Sequence, residues 1–191
     1  VAIYGGFDPS VGDIMWEDRD WVANETILSG DLNGDDGLDF ENNSDNSYHV
    51  FYHPDGLDLD STAMLDGCTI TGGNADGDDP HYRGGGMHND RSSPTLSNCM
   101  LSGNSAEFAG GGLYNHNSSP ALSDCTFEGN RAYDGGGMYN YNTSSPVLSN
   151  CTFSGNLAHS LGGGIYNIGS SPTLIDCIFS GNSAYSGGGM A

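Results

Sequence analysis

Apolar residues along this chain fall in short alternating runs, and Gly, Ser and Asn separate one run from the next. The segment 162–182, GGGIYNIGSSPTLIDCIFSGN, shows the pattern once. The runs are too short for an amphipathic helix, whose apolar residues recur every three to four positions, so they predict strands. The side chains predicted to face inward are those of Ile165, Leu174, Cys177 and Phe179, and those predicted to face outward are Tyr166 and Ile178.

Bends are predicted between these strands, because Gly and Asn tolerate the left-handed backbone that a sharp turn needs. In this segment they are expected at Asn167, at the Ile175–Asp176 step and at Gly181–Asn182. Three strands and three bends would then make one coil. Successive coils are expected to stack in parallel at about 4.8 Å.

The same pattern recurs along the chain, in residues 84–104, 110–130 and 135–156. A period of 20 to 50 residues is typical of a solenoid. The sequence therefore predicts an all-β fold, a right-handed parallel β-helix with about 26 residues per coil and roughly seven coils.

Five cysteines follow this period and are expected at one inward position of successive coils. They are Cys68, Cys99, Cys125, Cys151 and Cys177. We interpret them as a buried stack of small apolar side chains. A disulfide or metal role is the alternative, although no CxxC motif or histidine pair accompanies them.

The chain divides into irregular coils with inserted loops over residues 1–60 and regular repeats over 61–191, which together form one continuous solenoid domain. The loop 8–24 holds Trp16 and Trp21, which are expected to cover the side or end of the rod. Both chain ends fall inside a repeat, so we expect this to be part of a longer chain.

One corner of the coil varies in length. Ten or eleven residues separate each cysteine from the next GGG, but sixteen follow Cys68. The variable contents are EFA, YD, HSL and YS, with a long acidic version at residues 76–83. Because such loops tolerate change, this corner is the expected place for features that differ between coils.

An acidic segment in the second inserted loop resembles a calcium loop. Carboxylates and an amide alternate at Asp31, Asn33, Asp35 and Asp39, and calcium prefers six to eight oxygen ligands. Asp36 stands where an EF-hand has Gly, and no Glu occupies the bidentate position. The hypotheses are a Ca²⁺ site and a solvated acidic turn.

Outward aromatic residues are also expected once per coil, as a strip along one side of the rod. They are His88, Tyr114, Tyr139 and Tyr166, with His116 and Tyr141 two positions further on. Stacked rings suit contacts with sugars or proteins. The alternative is that the rings only cover one another and stabilise the sheet.

Composition limits the possible partners. The chain has 25 acidic residues against four Lys and Arg, and a net charge of −21. Such a surface repels nucleic acid and anionic membranes. No apolar run reaches 18 residues, so no membrane insertion is expected. Unpaired strand edges at the two ends would favour head-to-tail self-association into filaments, unless further repeats and a cap follow.

The residues also suggest a family. The IYGGF sequence at 3–7, residues 19–37 and the repeated GGG[IML]YN…SSP pattern resemble bacterial right-handed parallel β-helix proteins of the secreted or cell-surface class. GGLY at 111–114 with FEGN at 127–130 is similar to the repeats of chlamydial polymorphic outer-membrane proteins. The resemblance implies the β-helix fold and an extracellular or cell-surface location.

Two function classes remain. The first is an extracellular structural or adhesive module that contacts a glycan or a protein surface. The alternative is a carbohydrate-binding module or a carbohydrate-active enzyme, either a pectate-lyase-like lyase or a glycosidase. A lyase would need a Lys or Arg base, but the chain has no Lys and its four arginines are scattered. A glycosidase would need two carboxylates across a groove, but only Asp124 and Asp176 are acidic among the residues that precede the cysteines. These observations favour the first class.

Overall fold

The computed structural model describes residues 1–10 and 15–191. Its strands form four parallel sheets, and each regular coil contributes one strand to each sheet. The first sheet contains β1 (Ala2–Tyr4), β4 (Met64–Asp66), β8 (Thr95–Ser97), β12 (Ala121–Ser123), β16 (Val147–Ser149) and β20 (Thr173–Ile175). The second contains β2 (Thr26–Ser29), β5 (Cys68–Thr71), β9 (Met100–Ser102), β13 (Thr126–Glu128), β17 (Thr152–Ser154) and β21 (Ile178–Ser180).

The third sheet contains β3 (Phe51–His53), β7 (Met87–Asp90), β11 (Leu113–His116), β15 (Met138–Tyr141) and β19 (Ile165–Ile168). A fourth sheet, here called the corner sheet, contains β6 (Asn74–Ala75), β10 (Ser105–Ala106), β14 (Arg131–Asp134) and β18 (Leu157–Leu161). Short 3-10 helices lie at Trp16–Asp18, Leu38–Phe40 and Asn43–Asp45 in the inserted loops. The predicted parallel β-helix is therefore confirmed.

The corner sheet corrects the expectation of three strands per coil. The variable corner forms a short strand of its own, because Ala75, Ala106 and Ala132 pack together beneath it as a small buried cluster. Differences in length are absorbed by a bulge. Ala132 pairs with Ala158, whereas Asp134 pairs with Leu161, so β18 contains one extra residue.

The number of coils is also smaller than expected. The two longest sheets have six strands within the described residues, where roughly seven coils were predicted. Ala2 pairs with Met64, and Met64 pairs with Thr95. The first coil thus takes up more than twice the 26 residues of a regular coil, because it contains both inserted loops.

Sharp bends occur where the backbone is left-handed. The residue before each cysteine has a positive φ, 50° at Asn98 and 51° at Asp176, as expected for the Ile175–Asp176 step. The bend expected at Asn167 is wrong. Asn167 lies within β19, and the chain turns at Gly169, where φ is 60°.

The core is built from identical positions stacked coil upon coil. Phe127 and Phe153 stack with ring centroids 4.5 Å apart, and Phe153 and Phe179 follow at 5.0 Å. Leu122, Leu148 and the other inward Leu, Ile and Met side chains are buried beside them. This burial of apolar surface is the main favourable contribution to folding.

The cysteine row lies inside this core. Cys68, Cys99, Cys125 and Cys151 are at most 2% exposed, and Cys177 is partly buried. All five fall within the described part of the chain and are free thiols. Burial raises the pKa of Cys68 to about 11, and thiol hydrogen bonds together with burial raise the pKa of Cys125. These raised pKa values keep the thiols of Cys68 and Cys125 protonated and unreactive at neutral pH.

Buried asparagines form a continuous ladder between the second sheet and the corner sheet, comprising Asn104, Asn130, Asn156 and Asn182. Asn130 Nδ2 donates to Leu101 O of the previous coil at 2.7 Å and to Asn156 Oδ1 of the next coil at 2.9 Å. Asn130 Oδ1 accepts the backbone N–H and the Nδ2 of Asn104, both at 3.1 Å. Each internal amide thus uses all of its hydrogen-bonding capacity.

A second ladder runs along the third sheet through Asn89, Asn115, Asn140 and Asn167. The side-chain amide of Asn115 donates to Asn140 Oδ1 at 2.9 Å. The first three of these asparagines are fully buried. This explains why Asn167 lies within a strand instead of forming a turn.

The first inserted loop is fastened to the rod by Arg19. Its guanidinium donates to Asp66 Oδ2 at 2.9 Å, and its Nε donates to Gly5 O at 2.8 Å. Its charge also lies 4.6 Å from the centroid of Trp16 and 5.6 Å from that of Trp21. The tryptophans therefore pack around a cation, which agrees with the expected covering role, while remaining half exposed.

Removing one rung of the first ladder is expected to destabilise the rod. Asn130→Ala leaves the N–H of Asn104 buried without a partner and removes the side-chain hydrogen bond to the carbonyl of Leu101, so the free energy of unfolding should fall by about 3 kcal/mol. Urea unfolding measures it. Glu128→Ala, which removes an exposed side chain of the same coil, is the control and should change it by less than about 0.5 kcal/mol. Equal effects of the two substitutions would contradict the ladder's role.

Candidate binding face

The predicted aromatic strip stacks as expected but is not exposed as expected. Ring centroids lie 5.0 Å apart for His88 and Tyr114, and 5.5 Å apart for Tyr114 and Tyr139. Yet these three side chains are only 3% to 5% exposed. Tyr166 is partly buried against Tyr139. The prediction of an open strip is therefore wrong for His88, Tyr114 and Tyr139.

The first glycine of each triplet packs against the residue that carries the ring. Gly110, with φ of 66°, brings its backbone against the strand, so that a Cβ there would lie 3.0 Å from Tyr114 Cα. Ala109 packs on the rings from the same side. Burial also raises the pKa of Tyr114 to about 12. These rings support the sheet, as the alternative interpretation proposed.

The two remaining residues of the predicted strip lie further along the third sheet. His116 and Tyr141 stack with centroids 5.4 Å apart, and Tyr141 is 40% exposed. His116 Nδ1 lies 3.0 Å from Asp90 Oδ1, and Asn117 Nδ2 lies 3.0 Å from His116 Nε2. The imidazole is thus held by neighbours on both sides, and only Tyr141 offers an open ring.

A different row of aromatic side chains is exposed, on and beside the corner sheet. We call it the corner row, and it consists of Tyr82, Phe108, Tyr133, His159 and Tyr185. Successive centroids from Tyr82 to His159 lie 5.8, 6.4 and 5.3 Å apart. Phe108, Tyr133 and Tyr185 are 39%, 46% and 92% exposed. The sequence contained the signal, because each variable corner contributes one aromatic residue or histidine.

Two grooves lie along the corner row. One, of about 450 Å³, is lined by Asp39, Asp76, Glu107 and Tyr133, among others. The other, of about 630 Å³, shares Glu107 and Tyr133 and is closed by the long acidic corner, residues 76–83. The corner row and the two grooves together are called the corner face.

The second inserted loop forms one wall of the first groove. Asn74 Nδ2 donates to Asn43 O at 3.0 Å, which docks the 3-10 helix Asn43–Asp45 onto the corner sheet. Phe40 lies beside it, with its ring 6.0 Å from the guanidinium carbon of Arg131. The groove is therefore lined by the inserted loop and by four successive coils.

Carboxylates dominate the electrostatics of the corner face. Asp39, Asp76 and Glu107 line the first groove together with Arg131. Arg83 is held by Asp79 at 2.9 Å and lies 4.2 Å from the Tyr82 centroid. Carboxylates only accept hydrogen bonds, so the face suits a ligand that is rich in hydroxyl donors and carries no negative charge.

The predicted calcium segment uses its side chains within its own loop. Asp31 Oδ1 accepts from Gly34 N at 2.6 Å, and Asn33 Nδ2 donates to Asp45 Oδ2. Asp39 instead lines the first groove. Over the described ranges, no three His, Cys, Asp or Glu side chains are grouped to hold a metal ion. The oxygen donors suit calcium chemically but do not converge, and calcium binding through Asp31, Asn33, Asp35 and Asp39 stays a prediction.

Comparison with known proteins identifies the fold family. Residues 31–190 match the family model described as a right handed beta helix region. No curated protein and no solved structure matches the chain. Within residues 1–10 and 15–191, no helix has the length and apolar character needed to cross a membrane.

A chelation experiment tests the calcium hypothesis. If the acidic segment binds Ca²⁺, chelation should lower the melting temperature, because a ligand that binds only the folded state stabilises it by mass action. Differential scanning calorimetry with excess calcium and with chelator measures this, and Asp35→Asn should remove the difference. Identical melting temperatures with calcium and with chelator would exclude the Ca²⁺ site and support the hypothesis of a solvated acidic turn.

Proposed function

Because the chain belongs to the right-handed β-helix family, we propose that it is an extracellular structural or adhesive module whose corner face binds a glycan. The observation that carries the proposal is the exposed corner row beside two acidic grooves. Aromatic side chains offer apolar surface to the C–H groups of a sugar ring, and carboxylates accept hydrogen bonds from its hydroxyls. An uncharged polysaccharide is the ligand that this combination favours.

The structural half of the proposal rests on the ladders. A rod held by buried amide ladders and stacked Phe rings places its corner row in a straight line, one ring per coil. Several weak contacts along one chain of sugars would then act together. The resemblance to secreted and surface-displayed β-helix proteins, including the chlamydial outer-membrane repeats, supports the location outside the cell.

A carbohydrate-active enzyme is the second candidate, and one observation favours it. Ala75 pairs with Ala106, so Asp76 and Glu107, which follow them, stand on neighbouring coils about 4.8 Å apart along the rod. Retaining glycosidases hold their two carboxyl groups about 5 Å apart. Both carboxylates line the first groove, but both are exposed, which favours binding over catalysis.

Binding can be measured by affinity electrophoresis in gels that contain a soluble polysaccharide. We expect a neutral cellulose derivative, xylan or mixed-linkage glucan to retard the protein. Polygalacturonate should leave it unretarded, because the protein and this polysaccharide are both anionic. Tyr133→Ala should weaken binding about three- to tenfold, as an aromatic contact contributes about 0.5–1.5 kcal/mol. Released reducing ends would favour the enzymatic candidate.

The matched control is Tyr141→Ala, which removes an equally exposed tyrosine from the third sheet. It should leave retardation unchanged. Weaker binding by Tyr141→Ala with no effect of Tyr133→Ala would move the site to the originally predicted strip. No retardation by any neutral polysaccharide would contradict the glycan proposal.

A further inference from the structure

The tip of the long acidic corner, residues 76–81, is held to the rod by few contacts. The backbone N–H groups of Gly77 and His81 bond inside the tip, to His81 O at 3.1 Å and to Asp78 O at 2.6 Å, and that of Asp76 bonds to Asn74 O of the same coil at 3.0 Å. Pairing with the next coil ends at Ala75 and resumes at Tyr82, whose carbonyl accepts Phe108 N at 3.0 Å. Side chains must therefore fasten the tip.

Three rings from the preceding coil do so, and one of them, Tyr52, lies with its centroid 5.2 Å from that of His81. Tyr48 stacks on His81 with centroids 5.4 Å apart, and it leaves no space for a side chain at Gly77, where a Cβ would lie 2.7 Å from Tyr48 Cζ. His49 Nε2 lies 2.9 Å from His81 Nδ1. The Asp79–Arg83 ion pair also reaches the tip, but its carboxylate is largely exposed and contributes little.

The hydrogen bonds fix the protons of the histidine pair. His49 Nδ1 lies 2.8 Å from Gly84 O, and because a carbonyl only accepts, Nδ1 carries the proton. In neutral His49 the Nε2 atom is therefore the acceptor, and His81 Nδ1 donates to it. A positive charge on His81 keeps this bond, and a further proton on His49 Nε2 then sets two N–H donors against each other, because a charged His81 has no acceptor nitrogen.

We propose that His49 and His81 form an acid-sensitive latch that fastens residues 76–81 to the rod and releases them when His49 takes up a proton. The latch consists of residues of this chain alone and does not depend on any ligand. Its consequence for glycan binding rests on the proposed function, because Asp76, Asp78 and Asp79 line the two grooves and an open tip removes one wall.

Neighbouring groups oppose the extra proton. His88 packs against His49 with centroids 5.4 Å apart, and its Nδ1 lies 3.1 Å from Arg83 O. Tyr52 stacks on His49 with centroids 5.0 Å apart, and the charge of Arg83 acts on His88. The acidic groups near this cluster are Asp79, which Arg83 binds, and Asp90, which lies 3.0 Å from His116. Among residues 1–10 and 15–191, no carboxylate therefore stabilises a charged His49 directly.

The direction of the pH effect follows from burial. Burial lowers the pKa of His49 to about 4, and burial also lowers the pKa of His88 to about 4. An exposed histidine titrates near 6.5. The open tip thus binds more protons than the closed tip between about pH 6.5 and 4, so closure is strongest above about 6.5 and weakens as the pH falls through that window.

Amide hydrogen exchange at Gly77 and His81, corrected for the pH dependence of the chemical exchange rate, tests the latch without any ligand. Their protection factors should fall about tenfold per pH unit between about pH 6.5 and 4, as expected for one proton bound on opening. Amides of β15 report global unfolding and should keep their protection. In His49→Gln, whose amide can replace both hydrogen bonds without titrating, protection should no longer depend on pH.

His159→Gln is the control, because it removes an exposed histidine of the corner row far from the pair, and the pH slope at the tip should persist. Three results would refute the latch. The protection factors of the tip amides could stay constant down to pH 4, or they could fall together with those of β15. The third is that the protection factors in His49→Gln depend on pH as they do in the wild type. If the tip amides of His49→Gln are already unprotected at pH 7, this would support the role of the His49–His81 contact in fastening the tip. The pH dependence of the wild-type protection factors then decides whether a proton opens it.

If the protection factors of the tip fall with pH as expected but no polysaccharide binds, the latch stands and the proposed function fails. If a neutral polysaccharide binds, its retardation should weaken below about pH 5 in the wild type and remain in His49→Gln. Binding that is unchanged by pH together with a tip that opens would show that the tip is not part of the glycan site.

Discussion

In the two coils that contain β8–β11 and β12–β15, two buried asparagine amides donate to the asparagines of the next coil, and the rest of the rod depends on these hydrogen bonds. An amide buried without partners costs about 1–3 kcal/mol, so a coil can join the stack only in the register that satisfies them. The Asn130 amide, with its four hydrogen bonds, shows how little freedom this leaves. Stacked Phe and Leu side chains add most of the buried apolar surface but specify register less sharply.

The same constraint explains where the coils can differ. Three sheets carry inward side chains in fixed register, while the corner sheet covers only small alanines and tolerates a bulge between β14 and β18. Inserted residues therefore collect at this corner, and so do the exposed rings and most of the groove carboxylates. Function and variability share one face because it is the face on which packing imposes the fewest conditions.

Much of this could be predicted from the sequence. The 26-residue period identified the coil, and the alternation placed Ile165, Leu174 and Phe179 inside and Ile178 outside. The corner strand was missed because two to five residues rich in Ala carry too little periodicity to indicate a strand. The burial of Tyr114 was missed because the alternation of side chains along a strand indicates only which face of the sheet a side chain occupies. It does not indicate which neighbours, such as the glycine triplet, pack against that residue. The contact of His49 with His81 joins residues 32 positions apart, and no local pattern reveals it.

Neighbouring rungs of the asparagine ladder should stabilise one another, and a double-mutant cycle measures this coupling directly. Asn130→Ala and Asn156→Ala remove the same shared hydrogen bond, so together they should cost about 1 kcal/mol less than the sum of their separate effects on the free energy of unfolding. Asn104→Ala and Asn182→Ala, which lie three coils apart, should be additive within about 0.5 kcal/mol. Additivity of the neighbouring pair would contradict the claim.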